Sequence, residues 1–459
     1  MINYREEQDS IGKKQVPADA YYGVQTLRAS ENFKITREKT HPEFVKSIVE
    51  IKLAAAITNR DAGVIDSSVA DAIIEACKEI LDGDYSDSFI VDALQGGAGT
   101  SLNMNANEVI ANRAIEILGG QKGNYTVVHP NDHVNCGQST NDVYPSAGKI
   151  ALIRLLKNAM GVLHDLHTAF VKKSEQFNDI IKMGRTEMQD AVPISFGQLF
   201  GAYASAVERD INRFKIAIDE MSKLNMGGTA IGTGINADQT YIKQIVPQIS
   251  KITGLKLHQA KDLVDATQNL DSFVYVSGII KSCATTVSKI SNDIRLMSSG
   301  PRTGFNEINI PAMQNGSSIM PGKINPVIPE VMNQIAFNVI GNDTTITHAA
   351  EAGQLELNAF EPVIFYCLFQ SLDTLTNGIR GFISGCIDGI TVNIGKCQDD
   401  VERSIGIITA LCPSIGYTEA SNIAKRALKE GKKIRDIIIS ENLVSDEELD
   451  VLLNPYKMI

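Results

Sequence analysis

Long apolar repeats with helical spacing are the feature that most constrains the fold of this chain. In 150–170, leucine, methionine and phenylalanine side chains recur at steps of three and four residues, and 201–224 continues the pattern. Segments 270–297 and 330–350 contain no proline, and Pro329 marks the expected start of the second. Strand patterns are weak, with one short candidate at 125–130. The sequence therefore predicts a mainly α protein built from long packed helices.

The composition argues against several classes of function. The chain has 459 residues, 43% hydrophobic residues and a net charge of −11, so we expect neither nucleic acid nor an anionic membrane as its main partner. It has no run of 18 apolar residues, and its first residues include no apolar targeting segment. Its seven dispersed cysteines lack C-x-x-C spacing, which is typical of reduced thiols. We therefore expect a cytoplasmic protein.

The stretch "NGSSIMPGKINPVIPE" at 315–330 is the most informative loop. It is not a Walker A loop, because five residues separate Gly316 from Gly322 and Ile324 follows the lysine. It is not a nucleophile elbow either, because Met320 stands where the second glycine is required. An ordinary surface loop remains possible, since its residues favour turns. Its hydroxyls, amide, N–H groups and single cation suit a carboxylate ligand.

Three further polar loops have a similar content: "GTSLNMN" at 99–105, "GQSTND" at 137–142 and "GRTEMQD" at 184–190. Glycine allows a ligand to approach closely, although such clusters more often form turns and helix caps. Two alternatives are weaker. The spacing of His129, His133 and Cys136 would suit a zinc site only if these residues lay on a helix, and Pro130 argues against a helix there. "GTAIGTG" at 228–234 lacks the preceding strand of a dinucleotide site.

Taken together, these loops resemble a known family. "GSSIMPGKINP", "GGAGTSLNMNANEVIANRA", "NDHVNCGQSTND" and "GRTEMQDAVP" are similar to the characteristic segments of the fumarase/aspartase superfamily, whose members release fumarate by elimination. The resemblance covers nearly the whole chain. "DAYYGVQTLRA" at 19–29 favours the members that deaminate aspartate over the class II fumarases.

The resemblance implies a mainly α, three-domain fold with a central bundle of long helices that forms the core of a homotetramer. The expected domains are 1–138 at the N-terminus, 139–395 as the bundle and 396–459 as a small helical domain. Active sites would be shared by three subunits and would interconvert L-aspartate with fumarate and ammonium. The resemblance also implies that no cofactor would be required, although some relatives use activating Mg²⁺, and we identify no metal site in the sequence.

The resemblance also implies residue roles. Ser317 would be the base that removes the Cβ proton. The remaining candidates would bind the two carboxylates and the amino group of the substrate: Thr100, Ser101, Asn103, Ser139, Thr140, Asn141, Thr186, Glu187, Ser318, Lys323 and Asn325. Among these, Lys323, Asn325 and Thr186 would bind the α-carboxylate, while Thr100, Ser139, Thr140 and Ser318 would hold the β-carboxylate and its growing charge. Asn141 and Thr100 would orient the amino group.

Two positions depart from the family pattern. Glu187 stands where fumarases and some aspartases have histidine and other aspartases have glutamine. We expect it to face the amino group of the substrate; alternatively, it is an exposed residue at a helix start. Leu199 replaces a glutamate found in many relatives, with no evident reason. Two other functions remain open: class II fumarase activity, which hydrates fumarate to malate, and a non-catalytic structural role like that of the related lens crystallins.

Overall fold

The computed structural model describes residues 3–441 and 443–458, and most of these residues are helical. The mainly α fold predicted from the apolar repeats is confirmed. In chain order, the α-helices α1 to α16 of the described residues are Val24–Asn32, Pro42–Asp61, Ser67–Leu81, Thr100–Ile117, Thr140–Gln176, Phe196–Met221, Gln239–Thr253, Asp265–Gln268, Asp271–Met297, Val327–Glu351, Glu361–Gly385, Ile394–Arg403, Cys412–Ile415, Tyr417–Glu430, Ile434–Ser440 and Asp446–Leu452.

The strands are short and pair two by two. Three of the pairs are antiparallel, and β5 pairs with β6 in parallel. A π-helix occupies Pro130–Val134, and short 3₁₀ helices complete the described structure. The strands β1 to β8 are Tyr4–Gln8, Lys13–Pro17, Ile181–Thr186, Gln189–Ser195, Lys223–Leu224, His258–Gln259, Ile308–Asn309 and Thr391–Val392.

The predicted long helices all form, with shifted ends. Segments 150–170 and 270–297 correspond to α5 and α9, and α6 ends at Met221, before the predicted 224. Helix α10 begins at Val327 rather than after Pro329. The first turn of a helix has no partners for its N–H groups, so proline is tolerated there. The strand predicted at 125–130 is wrong, because turns lead there into the π-helix.

The sequence patterns missed the hairpin of β3 and β4. Its two strands pair antiparallel, with an irregular register between Met183 and Arg185. The two-residue turn is formed by Glu187 and Met188, whose φ angles are 53° and 66°. Positive φ at both positions matches the twist of a hairpin but is unusual for residues other than glycine and asparagine. Glu187 is therefore not at a helix start, and that alternative is wrong.

The described chain forms two compact units. Unit 1 comprises residues 1–160, 213–282 and 338–374, and unit 2 comprises 161–212, 283–337 and 375–459. In unit 1, aromatic rings of Phe44, Tyr144 and Phe365 pack edge to face. In unit 2, the C-terminal helices form an apolar core that includes Ile181 and Met183 of β3. The division into three domains stays a prediction. In the described part, no helix is long and apolar enough to cross a membrane.

Candidate active site

Helix α4 of unit 1 begins at Thr100, directly after a glycine turn. Gly99 has a φ of 90°, and a Cβ there would lie 2.2 Å from a ring carbon of Tyr144, so only glycine fits. Thr100 is exposed, and its hydroxyl donates to the carbonyl of Gly97 at 2.8 Å. Because that proton is engaged, the oxygen is left to accept a hydrogen bond. Ser101 lies half-buried in the same helical turn.

Two hydroxyls at the start of α5 accept hydrogen bonds within the protein, whereas the Thr100 hydroxyl donates one. Thr140 Oγ1 accepts a hydrogen bond from Asn103 Nδ2 at 3.1 Å, and Ser139 Oγ accepts one from the Asn141 N–H at 3.2 Å. Each hydroxyl therefore keeps its own hydrogen to donate. Two neighbouring O–H donors suit the two oxygens of a carboxylate.

Asn141 is held as an acceptor. Its Nδ2 donates to the carbonyl of Ala230 at 2.7 Å, which fixes the amide and leaves Oδ1 to accept. With Thr100, it offers oxygen acceptors that suit an ammonium group. Asn103 is buried, and its own Oδ1 has no hydrogen-bond partner among the described residues.

Asp142, Asn135 and Gln138 complete this site, and sequence reasoning assigned them no role. The Asp142 carboxylate accepts from the N–H groups of Ser139, Gly227 and Thr229 at 2.9–3.1 Å. Its spacing of three residues from Ser139 is the capping spacing that could have revealed it. Burial raises the pKa of the Asp142 carboxyl to about 6. An adjoining cavity of about 330 Å³ has mostly polar walls. Its lining residues are Asn103, Met104, Asn135, Gly137, Gln138, Ser139, Thr140, Thr229, Ala230, Ile235 and Asn236.

The Ser317 loop belongs to unit 2 and is closed by its own hydrogen bonds. The Gly316 N–H donates to the carbonyl of Lys323 at 2.9 Å, and Asn325 Nδ2 donates to the carbonyl of Gly316 at 2.8 Å. A Cβ at Gly316 would lie 2.6 Å from the Lys323 carbonyl oxygen, so the loop closes only with glycine there. One N–H of the Asn325 amide remains for a ligand.

Ser317 itself is surrounded by backbone donors. Its Oγ accepts from the N–H groups of Ile319 at 3.2 Å and Met320 at 3.0 Å. Consecutive backbone N–H groups that converge on one oxygen favour negative charge on it. Ser318 and Lys323 are exposed on the same loop.

The β3–β4 hairpin places Thr186 and Glu187 at an exposed tip of unit 2. Its base is anchored by Glu307, which is fully buried and lies 2.7 Å from Arg185 Nη1 and 3.0 Å from Lys182 Nζ. A cavity of about 770 Å³ is lined by residues that include Thr186, Glu187 and Leu199. Leu199 therefore lies beside the hairpin.

The two histidines of the zinc alternative have local hydrogen-bond partners. His129 Nδ1 accepts from the N–H groups of Asn131 and Asp132, both at 3.2 Å, and His133 Nδ1 accepts from the His129 N–H at 2.9 Å. Both rings therefore cap the π-helix through the nitrogen atoms named here. Across 3–441 and 443–458, no group of three or more His, Cys, Asp and Glu side chains is arranged to hold a metal ion.

The predicted site residues thus fall into two groups. Thr100, Ser101, Asn103, Ser139, Thr140 and Asn141 belong to unit 1, whereas Thr186, Glu187, Ser317, Ser318, Lys323 and Asn325 belong to unit 2. Hydrogen bonds connect Asn103 with Thr140 and Ser139 with Asn141 in the first group, and the glycine-closed loop holds four members of the second together.

Comparisons with known proteins identify the family of the chain. The family model described as "Lyase" matches residues 12–341, and that described as "Fumarase C C-terminus" matches 407–459. An aspartate ammonia-lyase of Bacillus subtilis is 52% identical over 99% of this chain and 96% of its own length.

Solved structures are similar over the same extent. A fumarate lyase:delta crystallin from Brucella melitensis bound to cobalt has a TM-score of 0.97 and 46% identity, covering 99% of each chain. A recombinant class II fumarase from Schistosoma mansoni has a TM-score of 0.96 and 36% identity, also covering 99% of each chain. The chain therefore belongs to the fumarase/aspartase superfamily of lyases, in the group represented by the aspartate ammonia-lyases.

Proposed function

We propose that the protein converts L-aspartate reversibly to fumarate and ammonium, with Ser317 as the base. The observation that carries the proposal is the pair of backbone N–H groups, from Ile319 and Met320, that donate to Ser317 Oγ at 3.2 and 3.0 Å. Hydrogen bonds to the charged form of a group favour that form, so this loop stabilises a serine oxyanion.

The chemical difficulty is the charge that develops next to the attacked Cβ. Ser317 takes the Cβ proton, and the electron pair of the C–H bond moves into the neighbouring carboxylate, giving a doubly charged enediolate. The pair then forms the C=C bond as the C–N bond breaks and ammonia leaves. The proton held by Ser317 passes to the ammonia, which gives ammonium and restores the base. Ser139 and Thr140 keep hydroxyl hydrogens available for the enediolate. Each well-placed donor contributes about 2.7–4 kcal/mol in such sites.

The other ends of the substrate match the remaining groups. The ammonium group donates to Asn141 Oδ1, whose amide is oriented by the bond from Nδ2 to the Ala230 carbonyl, and to Thr100 Oγ1, whose hydrogen is donated to the Gly97 carbonyl. The exposed Lys323 ammonium, together with Asn325 and Thr186, binds the α-carboxylate. Ser318 adds a donor on the β-carboxylate side. Closure of the Ser317 loop over the substrate would exclude water during the elimination.

The direct test is a paired assay of the purified protein on L-aspartate and L-malate, following fumarate by its ultraviolet absorbance. Turnover of aspartate with little turnover of malate supports the proposal. The reverse preference would identify a class II fumarase, which the similarity to the Schistosoma structure keeps in view. Turnover of neither substrate would favour a structural role and overturn the proposal.

A homotetramer with active sites shared by three subunits is the assembly that we propose. It is supported by the exposure of the Ser317 loop, where Ile319 is 84% exposed. Mixing unfolded Ser317→Ala and Thr140→Val chains before refolding tests it. If the two residues come from different subunits, about a quarter of the sites in mixed tetramers regain both. Mixtures as inactive as either parent would contradict shared sites.

The proposed elimination uses a base and groups that stabilise charge. Activation by Mg²⁺ stays a prediction, and the residues that the structure describes offer no cluster of ligands for it. Initial rates measured with Mg²⁺ and with a chelator, at neutral and alkaline pH, test it.

A further inference from the structure

A fully buried lysine lies behind the α5 site. Lys52 of α2 has no exposed surface, and its Nζ donates to Asn135 Oδ1 at 2.8 Å and Gln138 Oε1 at 2.9 Å. Both acceptors are neutral amides. A buried ammonium without a directly bonded carboxylate costs stability, and an apolar side chain of similar volume would avoid this cost. Burial lowers the pKa of Lys52 to about 7.

The two amides that accept from Lys52 line the 330 Å³ cavity beside Ser139 and Thr140. Asn135 Oδ1 also accepts from Asn103 Nδ2 at 3.2 Å, and the same Asn103 nitrogen donates to Thr140 Oγ1 at 3.1 Å. A continuous chain of hydrogen bonds therefore runs from the buried ammonium to a hydroxyl of the site. Lys52 and Asn103 share the acceptor Asn135 Oδ1, so the lysine acts on Thr140 by fixing where the Asn135 and Asn103 amides lie.

The charges around this cavity make the lysine distinctive. The residues that line the cavity are all uncharged. The carboxylate of nearby Asp142 accepts hydrogen bonds from three backbone N–H groups. The ammonium of Lys52, by contrast, is bonded to two amides of the cavity wall. Charges act more strongly through a poorly solvated interior than through water.

We propose that Lys52 is a positioning residue for the elimination. Its ammonium orders the amides of Asn135 and Gln138, and through Asn103 it fixes Thr140 so that the threonine hydrogen is donated to the enediolate. Lys52 contacts no substrate atom. This inference rests on the proposed function, because the enediolate is the species that it serves.

The test compares Lys52→Met with Lys149→Met. Lys149 is a second buried lysine of unit 1, whose Nζ donates to the Lys223 carbonyl at 2.9 Å. It lies about 13 Å along α5 from Thr140. For each variant we would measure kcat and KM for L-aspartate and the inhibition constants of succinate and of the nitronate of 3-nitropropionate. Succinate resembles the substrate ground state, whereas the planar nitronate dianion resembles the enediolate.

Lys52→Met should lower kcat about 10²-fold and weaken nitronate binding by a similar factor, with succinate binding and KM nearly unchanged. Lys149→Met should behave like the wild type in all four measurements. Wild-type nitronate affinity in a folded Lys52→Met protein, or equal weakening of nitronate and succinate, would overturn the inference. If Lys52→Met does not fold, Gln138→Leu should show a smaller loss with the same selectivity, and no loss there would contradict the proposal.

The same measurements separate this inference from the proposed function. A wild-type protein that does not turn over L-aspartate would overturn the function. A wild-type protein that does so, with a Lys52→Met variant of equal kcat and nitronate affinity, would overturn the positioning role alone.

Discussion

The loop at 135–142 and the loop at 315–326 hold their polar side chains in different surroundings. In the first, Asp142 is buried, as is Lys52 of α2 behind the loop, and their hydrogen bonds fix the backbone and amides around Ser139 and Thr140. In the second, Ser317 depends on N–H groups of its own loop, and most neighbouring residues are exposed. Stabilisation of developing charge requires donors that are already in place, whereas a base on a closing loop has to move.

The largest effect is expected from a substitution in the exposed loop at 315–326. Ser317→Ala removes the base and should lower kcat for aspartate by about 10³-fold or more, without changing the oligomeric state. Steady-state kinetics and light scattering measure the two properties. Ser318→Ala, on the same loop, should lose much less activity. Near-normal turnover of Ser317→Ala would show that another group is the base.

The next largest effect is expected from a substitution in the loop at 135–142, which buried groups hold in place. Thr140→Val removes one O–H donor with little change in shape and should lower kcat by about 10²-fold, while Thr140→Ser should retain most activity. Because the donor acts on the enediolate, the loss should appear in kcat more than in KM. A Thr140→Val loss confined to KM would mean that the hydroxyl binds the ground state, and the contrast between the two loops would weaken.

A smaller effect is expected at the exposed hairpin tip. Glu187→Gln removes a carboxylate that we expect to favour the ammonium of aspartate over the hydroxyl of malate. Since Glu187 is exposed, screening limits the change in the aspartate-to-malate ratio of kcat/KM to about 5-fold. Competition between the two substrates measures this ratio, and an unchanged value would remove Glu187 from the specificity determinants.

The smallest effect concerns pH and stability. Burial raises the pKa of Asp142 from 3.8 to about 6, so the folded protein binds this proton more tightly than the unfolded chain does. Its contribution to the free energy of unfolding is therefore present below about 3.8 and is lost as pH rises through about 6. Denaturant unfolding of Asp142→Asn should show a flatter pH dependence across this window. Glu187→Gln, which alters an exposed carboxylate, should leave the slope of the wild type unchanged.

Short-range pattern was enough to predict much of this molecule. Three- and four-residue repeats predicted α5 and α6, because each helix needs an apolar face to bury, and the absence of proline predicted α9 and α10. The hairpin at 181–195 was missed because its turn uses Glu187 and Met188 at positive φ, which no turn signal in the sequence indicates. The predicted roles of the site residues stay predictions for the experiments above.

The sequence by itself determined the long helices and the set of loops that carry hydroxyls, amides and a lysine. Only the tertiary structure decided the bonding of the Thr140 hydroxyl, the Asn135 amide and the Asp142 carboxylate, because it depends on partners distant in sequence. Asn103 reaches Thr140 across 37 positions, Lys52 reaches Asn135 across 83, and Gly227 reaches Asp142 across 85. Such bonds form when helices pack, and local residue patterns carry no record of which distant groups the packing will bring together.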